Sequence, residues 1–370
     1  MNFWKRAQEL KDEITQNRRR IHQNAEVGLN LPNTKAFVTE KLREYGLKPT
    51  ECGHGVTATL GKPGKTLLLR ADMDALPMPE ESGEPFACPT GETAHACGHD
   101  MHTAMLLTAA KMLKENEDAL CGTVKLMFQP AEETTGGARN MIEEGALEDP
   151  HVEVVYGMHM MPDVPLGKVS TCAGPMMAQT CEMDFIIRGL AAHGAMPHLG
   201  QDAVMAMAHL LTMLQTTVAR SIDPAQPALI TIGHVEAGHQ RNIIADEARL
   251  EGIVRTFSND VYARLEERMM ADIAGVDAAF GTKTEMVKRV FYPCVENDPA
   301  EVERVRALLG DRFVQEKPRM IAEDFSYYQL NVPGVFVFCG CMDENHKSPL
   351  HADTFDFDER ALVTGLALFI

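Results

Sequence analysis

The sequence predicts an α/β protein in two parts: a domain around a central mixed sheet, interrupted by a small α+β domain of ferredoxin-like order. Three observations point there. The chain has 370 residues, more than one compact core organises. Short apolar runs of strand type alternate with helical segments up to residue 179 and again from 294 onward. Between them, residues 180–293 run strand, helix, strand, strand, helix, strand, the order of the ferredoxin-like unit. The expected division is a discontinuous first domain, 1–179 with 294–370, and an insert at 180–293.

Taken in order, residues 4–24 read as one amphipathic helix, with Ala7, Leu10, Ile14 and Ile21 at helical spacing. Arg18, Arg19 and Arg20 read as its solvated face. Residues 33–45 are a second helix, capped by Asn33 or Thr34 and closed by Gly46. Residues 57–60 and 66–71 are strands about the turn Gly61-Lys62-Pro63-Gly64. The run 66–70 is apolar on both faces, as a central strand requires, and it leads into Asp72 and Asp74. A loop rich in Pro and Glu, 78–92, precedes His95-Ala96-Cys97-Gly98-His99-Asp100-Met101-His102. From Met101 to Leu113 nothing breaks a helix. The buried strand 123–129 ends in Pro130-Ala131-Glu132-Glu133, and Gly136-Gly137 opens a further helix. The strand 152–158 ends on His159. The insert carries strands at 180–189, 228–237, 247–256 and 284–292, with helices at 203–218 and 259–274. A helix at 299–309 and a strand at 335–339 resume the first pattern ahead of His351.

Charge and cysteines narrow the class. With 35 Lys and Arg against 53 Asp and Glu, the formal net charge is −18, which argues against nucleic acid and anionic membranes as partners. No apolar run approaches the roughly 20 residues of a membrane span. Nine cysteines, odd in number and unevenly spaced, with no leader-like opening, predict a reduced, cytoplasmic protein with free thiols.

The ligand-type residues recur at equivalent places. Three strand ends and one helix start bring Asp72, Asp74, Cys97, His99, Glu132, Glu133 and His159 to one edge, where open α/β sheets carry their sites. A thiolate among imidazoles suits Zn²⁺ or a similar transition ion. Adjacent Glu132 and Glu133 face opposite ways along an extended backbone, so one can face metals and the other a substrate.

Seven segments carry a resemblance: RADMDALP (70–77), HACGHDMH (95–102), FQPAEE (128–133), GMHMMPDVPLG (157–167), AAHGAMPH (191–198), RNIIADEA (241–248) and PLHADTFDFDE (349–359). In these the chain resembles the zinc aminoacylase/carboxypeptidase superfamily. Within it the similarity is to the amidohydrolase branch of hippurate hydrolases, indole-acetyl-amino-acid hydrolases and N-acetyl-diaminopimelate deacetylases. One departure is Ile321, where relatives usually place Gly.

The resemblance implies a dinuclear enzyme that cleaves N-acyl (acetyl, benzoyl or similar) amino acids. It implies two divalent ions, Zn²⁺ or Mn²⁺, Co²⁺ or Ni²⁺, on Cys97, His99, Glu133, His159 and His351. It makes Glu132 the general base and gives Asp72 and Asp74 supporting roles, with the one nearer the chemistry left open. In the insert, expected to serve as lid and dimerisation domain, it assigns His193 to the oxyanion, within the partner's site, and Asn242 and Arg255 to substrate. It therefore also implies a homodimer or higher homo-oligomer. The rivals are an aminopeptidase or dipeptidase on this scaffold, a non-catalytic metal- or ligand-binding homologue, and a thiol hydrolase using Cys97.

Overall fold

The computed structural model describes residues 3–370; the expectation of an opening without a leader falls in part on Met1 and Asn2, which lie outside the described residues. The chain forms two compact units. One holds the residues up to Gly174 with Glu296–Lys317 and Asp324–Ile370; the other holds Pro175–Val295 and Pro318–Glu323.

The first unit is built on an eight-stranded mixed sheet. Its strands run Thr50–Cys52, Gly55–Gly61, Thr123–Gln129, Thr66–Asp72, Val154–Pro165, Gly334–Met342, Val169–Thr171 and Phe313–Gln315 in spatial order. The strand Thr66–Asp72 lies in the middle, parallel to Thr123–Gln129 on one side and to Val154–Pro165 on the other. Its leucines are covered on both faces, which is why the run lacks alternation. Register then sets the site. Asp72 pairs with Gln129, and Arg70 pairs with Gly157, so Asp72, the turn after Gln129 and His159 stand at one level. The helix His99–Glu115 is buried from His99 to Leu113 except at Lys111. It packs on the helices Lys11–His22 and Ala361–Leu368 and on the strand Thr66–Asp72.

Four local readings change. The first helix is two, Phe3–Glu9 and Lys11–His22. The amide of Leu10 is shared between the carbonyls of Arg6 and Ala7, both at 3.2 Å, a tightening typical of helix ends. Arg18 is not on a solvated face; only 1 % of its surface is exposed. The second helix runs Pro32–Glu44 and is capped from a distance: the Glu26 carboxylate accepts from the amides of Asn33 (3.1 Å) and Thr34 (2.9 Å). The strand expected to stop before His159 continues to Pro165, because Gly334–Met342 pairs with it along most of that length.

The second unit has the βαββαβ order. Gln179–Arg188, Ala228–Ala237, Glu247–Thr256 and Lys283–Tyr292 form one antiparallel sheet, in the spatial order 228–237, 247–256, 179–188, 283–292. Cys181, Met183, Phe185 and Ile187 alternate inward to a core shared with the helices Ala203–Ser221 and Asn259–Phe280. Asp202 caps the first helix and Ser258 the second. Among the described residues, no helix is long and apolar enough to cross a membrane.

Candidate metal centre

The site grows from the buried end of the central strand. Asp72 is fully buried and uses both oxygens. Oδ2 accepts from Arg70 Nη1 at 2.7 Å, and Oδ1 lies 2.6 Å from His102 Nδ1. Burial pushes the Asp72 carboxyl up, but His99, His102 and Arg70 outweigh it and hold the pKa well below the ordinary value. His102 Nε2 accepts the Met160 amide at 2.8 Å, so Nδ1 carries the proton given to Asp72. Both nitrogens of His102 are thus engaged. Arg70 is anchored in turn by Gln129 Oε1 (2.9 Å) and Asp324 Oδ1 (2.8 Å).

Asp74 does a different job. Its Oδ1 accepts the amide of Glu132 at 3.0 Å and its Oδ2 accepts the amide of Glu133 at 3.1 Å. It therefore fixes the backbone of both glutamates. The turn before them is strained: Ala131 has φ 60° in the left-handed region. It is held there by the Gly136 and Gly137 amides, which donate to the Ala131 carbonyl at 3.0 and 3.2 Å. A side chain at Gly137 would place a carbon 1.8 Å from the Pro130 oxygen, so only glycine permits this approach. The turn releases the two glutamates from strict alternation, so both reach the same cluster.

Around them the donors converge. Cys97 Sγ lies 3.3 Å from His159 Nε2 and 3.2 Å from His351 Nε2. Glu133 Oε1 lies 3.1 Å from His351 Nε2 and 3.9 Å from His99 Nε2. Ligand atoms of Cys97, His99 and His159, of Cys97, Glu133 and His351, and of His99, Glu132 and Glu133 each fall within 4.8 Å of one another. His159 Nδ1 is hydrogen-bonded to the Met160 carbonyl at 2.7 Å, which leaves Nε2 as an open lone pair toward Cys97. His351 is brought in by a hydrogen bond of 2.8 Å from its backbone N–H to the Ala96 carbonyl and by a left-handed φ of 64°.

These residues fit divalent metal ions. Both ring nitrogens of His99 are buried without a hydrogen bond, and they face carboxylates: Nδ1 lies 3.5 Å from Asp74 Oδ1 and Nε2 lies 3.9 Å from Glu133 Oε1, an arrangement that suits a ligand imidazole. Burial, Glu133 and Glu132 raise the Cys97 thiol well above its ordinary value, so the thiolate has no compensating charge from the protein alone. A cation supplies it. The remaining groups are already matched. Burial and the neighbouring His102 and His99 lower His159 to about 3, leaving it neutral. Against the upward push of burial, His351 and His99 hold Glu133 at about 2.

The other predicted site residues lie in the second unit. His193 is exposed, in the two-residue strand Ala192–His193, and its Nδ1 accepts the Ala195 amide at 3.1 Å. Pairing of Ile243 with His193 places Asn242 beside it; the Asn242 carbonyl accepts the Gly194 amide at 2.8 Å. Arg255 lies on a separate strand, part-buried, with Nη1 unpartnered and its pKa lowered by burial.

The structure adds partners that spacing does not reveal. Arg70 and Asp324 are 254 positions apart and meet in the core. The only sequence signal was a lone Arg in an apolar strand. His22 is another. Burial pushes its pKa down, yet Asp100 and Glu80 hold it up at about 9. A histidine raised in this way contributes stability fully below its ordinary pKa of about 6.5, lost as pH rises through about 9. The stability difference between wild type and His22→Gln is therefore expected to shrink between pH 7 and 10, measured by urea unfolding. A pH-independent difference would show that His22 is neutral in the folded protein.

Comparison with known proteins agrees. A family model described as peptidase family M20/M25/M40 matches residues 68–370. N-acetyl-L-cysteine deacetylase of Bacillus subtilis (strain 168) is 38% identical over 353 residues, covering 94% of this chain and 84% of that protein. Thermostable carboxypeptidase 2 of Saccharolobus solfataricus is 36% identical over 372 residues, covering 97% and 94%. A solved structure, the Bacillus subtilis YXEP protein, described as a dinuclear metal binding peptidase from the M20 family, matches with TM-score 0.84 at 30% identity. It covers 98% of this chain and 97% of that one. Fold, donor set and relatives together define a metal-dependent hydrolase of amide bonds. The chain belongs to peptidase family M20/M25/M40, in its amidohydrolase branch.

Proposed function

We propose that this protein removes the acyl group from N-acyl amino acids, using two divalent ions held by Cys97, His99, Glu133, His159 and His351. The observation that carries this is the overlap of the donor clusters: Cys97, His99 and Glu133 each belong to more than one of them. One ion cannot take every donor, and the overlap supports a pair that shares neighbours. Their identity is drawn from Zn²⁺, Mn²⁺, Co²⁺ and Ni²⁺, which such mixed ligands accept. When bound, such ions polarise a scissile carbonyl and lower the pKa of water.

The chain's own residues then divide the work. Glu132 takes the proton from the attacking water and returns it to the departing nitrogen. Asp74 keeps Glu132 and Glu133 in place through their amides. Asp72 acts further back, through His102 and the Met160 amide beside His159. In the insert, His193 would stabilise the oxyanion, while Asn242 and Arg255 would bind the substrate, the Arg255 fork suiting a carboxylate. Nine free cysteines and the acidic composition support a reduced cytoplasmic setting.

The N-acetyl-L-cysteine deacetylase relative favours acyl amino acids as substrates, and the carboxypeptidase relative supports the second reading, a peptidase. The test is a panel of acetyl-, benzoyl- and indole-acetyl-amino acids beside dipeptides, run after loading with each metal. Turnover of acyl amino acids above dipeptides is expected. Preference for dipeptides would establish the peptidase, and no turnover with any metal a non-catalytic homologue. A homodimer is part of the proposal: the second unit exposes Leu190, Met196, Leu199, Met205 and Ile243, an apolar set suited to a second copy. Mixing inactive Glu132→Gln with inactive His193→Ala is expected to restore activity in heterodimers. Verified subunit exchange without activity would refute completion in trans.

A further inference from the structure

The helix that carries His99 starts without a side-chain cap. Gly98 precedes it with φ 84°, and no side chain bonds its first amides. Its first turn is held on one side by His102 and Thr103, which bond Asp72, and on the other through Asp100, which is fully buried. Asp100 Oδ2 accepts from Arg18 Nε at 2.6 Å and lies 2.8 Å from His22 Nδ1. Arg18 and His22 come from 82 and 78 positions earlier in the chain. Both are fixed in turn. Arg18 Nη1 reaches Glu359 Oε1 at 3.2 Å, and its guanidinium sits 4.6 Å from the Phe86 ring and 4.5 Å from the Phe357 ring. His22 Nε2 reaches Glu80 Oε1 at 2.9 Å.

This matters because of what His99 lacks. His159 is oriented by a hydrogen bond of 2.7 Å at its other nitrogen, whereas the nearest partner of His99 Nδ1, Asp74 Oδ1, stands at 3.5 Å. The direction of the His99 ring therefore depends more on its backbone, and that backbone belongs to the turn that Asp100 helps to anchor. A buried ion pair adds little stability beyond an apolar substitute, but it specifies one arrangement. We propose that Arg18 and His22 are positioning residues for the candidate metal centre: through Asp100 they fix the start of the helix and so the ring of His99. This rests on His99 being a metal ligand.

The experiment compares wild type with Arg18→Met and His22→Gln, and with Val302→Ala as a control. Val302 is buried in the helix Pro299–Leu309, which packs on the strand Gly334–Met342. For each, Co²⁺ and Zn²⁺ affinity is measured by competition with a chromophoric chelator, together with the Co²⁺–thiolate absorption and the thermal midpoint of the metal-free protein. Arg18→Met and His22→Gln are expected to weaken ion binding about 10- to 100-fold, the usual effect of losing a group that orients a ligand, and to change the Co²⁺ spectrum. Val302→Ala is expected to lower the midpoint and leave affinity and spectrum as in wild type. Should Arg18→Met not fold, Arg18→Lys takes its place: it keeps the charge but not the fork, and intermediate affinity is expected. Wild-type affinity in the folded Arg18 and His22 variants would overturn the proposal and reduce the cluster to a structural clamp. A wild type that binds neither ion would overturn the metal reading itself.

Discussion

Glu132→Gln is expected to lower kcat by at least ~100-fold, the scale of general-base catalysis, with bound metal unchanged. The change is nearly isosteric and leaves the amide that Asp74 holds. What it removes is the capacity to accept a proton. The two neighbours are distinguished by their surroundings. Glu133 places Oε1 3.1 Å from His351 and 3.9 Å from His99, in the middle of the imidazoles. Glu132 shares a cluster with His99 and Glu133, whereas Glu133 also shares one with Cys97 and His351. Steady-state kinetics and elemental analysis on the same preparation decide the matter. Near-normal turnover would remove Glu132 from the chemistry. A fall in metal content would make it a ligand instead.

Cys97→Ala, His159→Ala and His351→Ala are each expected to lose most of the bound metal, although they span 254 positions of sequence between Cys97 and His351. Their contacts at 3.2 and 3.3 Å share the Cys97 sulfur, so each deletion removes a donor from a common set. Two ions retained in all three variants would refute a shared centre. The same set fixes the pH response. His159, lowered to about 3, and Glu133, at about 2, are ready to ligate at neutral pH. In the other three the protonated form is favoured, and a cation must displace the proton. Burial pushes His99 down, but Asp72, Asp74 and Glu133 raise it to about 10. Burial, with Glu133 and Glu132, raises Cys97, and Glu133 raises His351. Binding therefore releases protons and weakens as pH falls, with about two to three protons released per site near neutrality. Calorimetry in buffers of different ionisation enthalpy measures that number. A value near zero would mean that the donors are not those named.

Much of this was legible in the chain. A strand apolar on both faces announces a central position, because only a strand covered on both sides lacks alternation. Residues at the ends of such parallel strands must share one edge, so Asp72, Glu132, Glu133 and His159 belong together on the sequence pattern alone. The βαββαβ order of the insert was equally plain, since each element carries its own period. These are local signals: hydrophobic period, turn residues and ligand types at element ends.

What tertiary structure alone decided is which partner each charged group takes. The sequence left Asp72 and Asp74 equivalent. In the fold, Asp72 turns to Arg70 and His102, whereas Asp74 clamps the Glu132–Glu133 backbone. Arg18 stood in a run of three arginines that read as solvated, yet it is the one held by Asp100, Phe86 and Phe357. Glu26 caps a helix whose own Asn33 and Thr34 looked sufficient. For the buried groups, Asp72 and Arg18, the physical reason is the same. A charged side chain goes inside only where partners offset its desolvation, and those partners come from segments that the sequence does not place side by side.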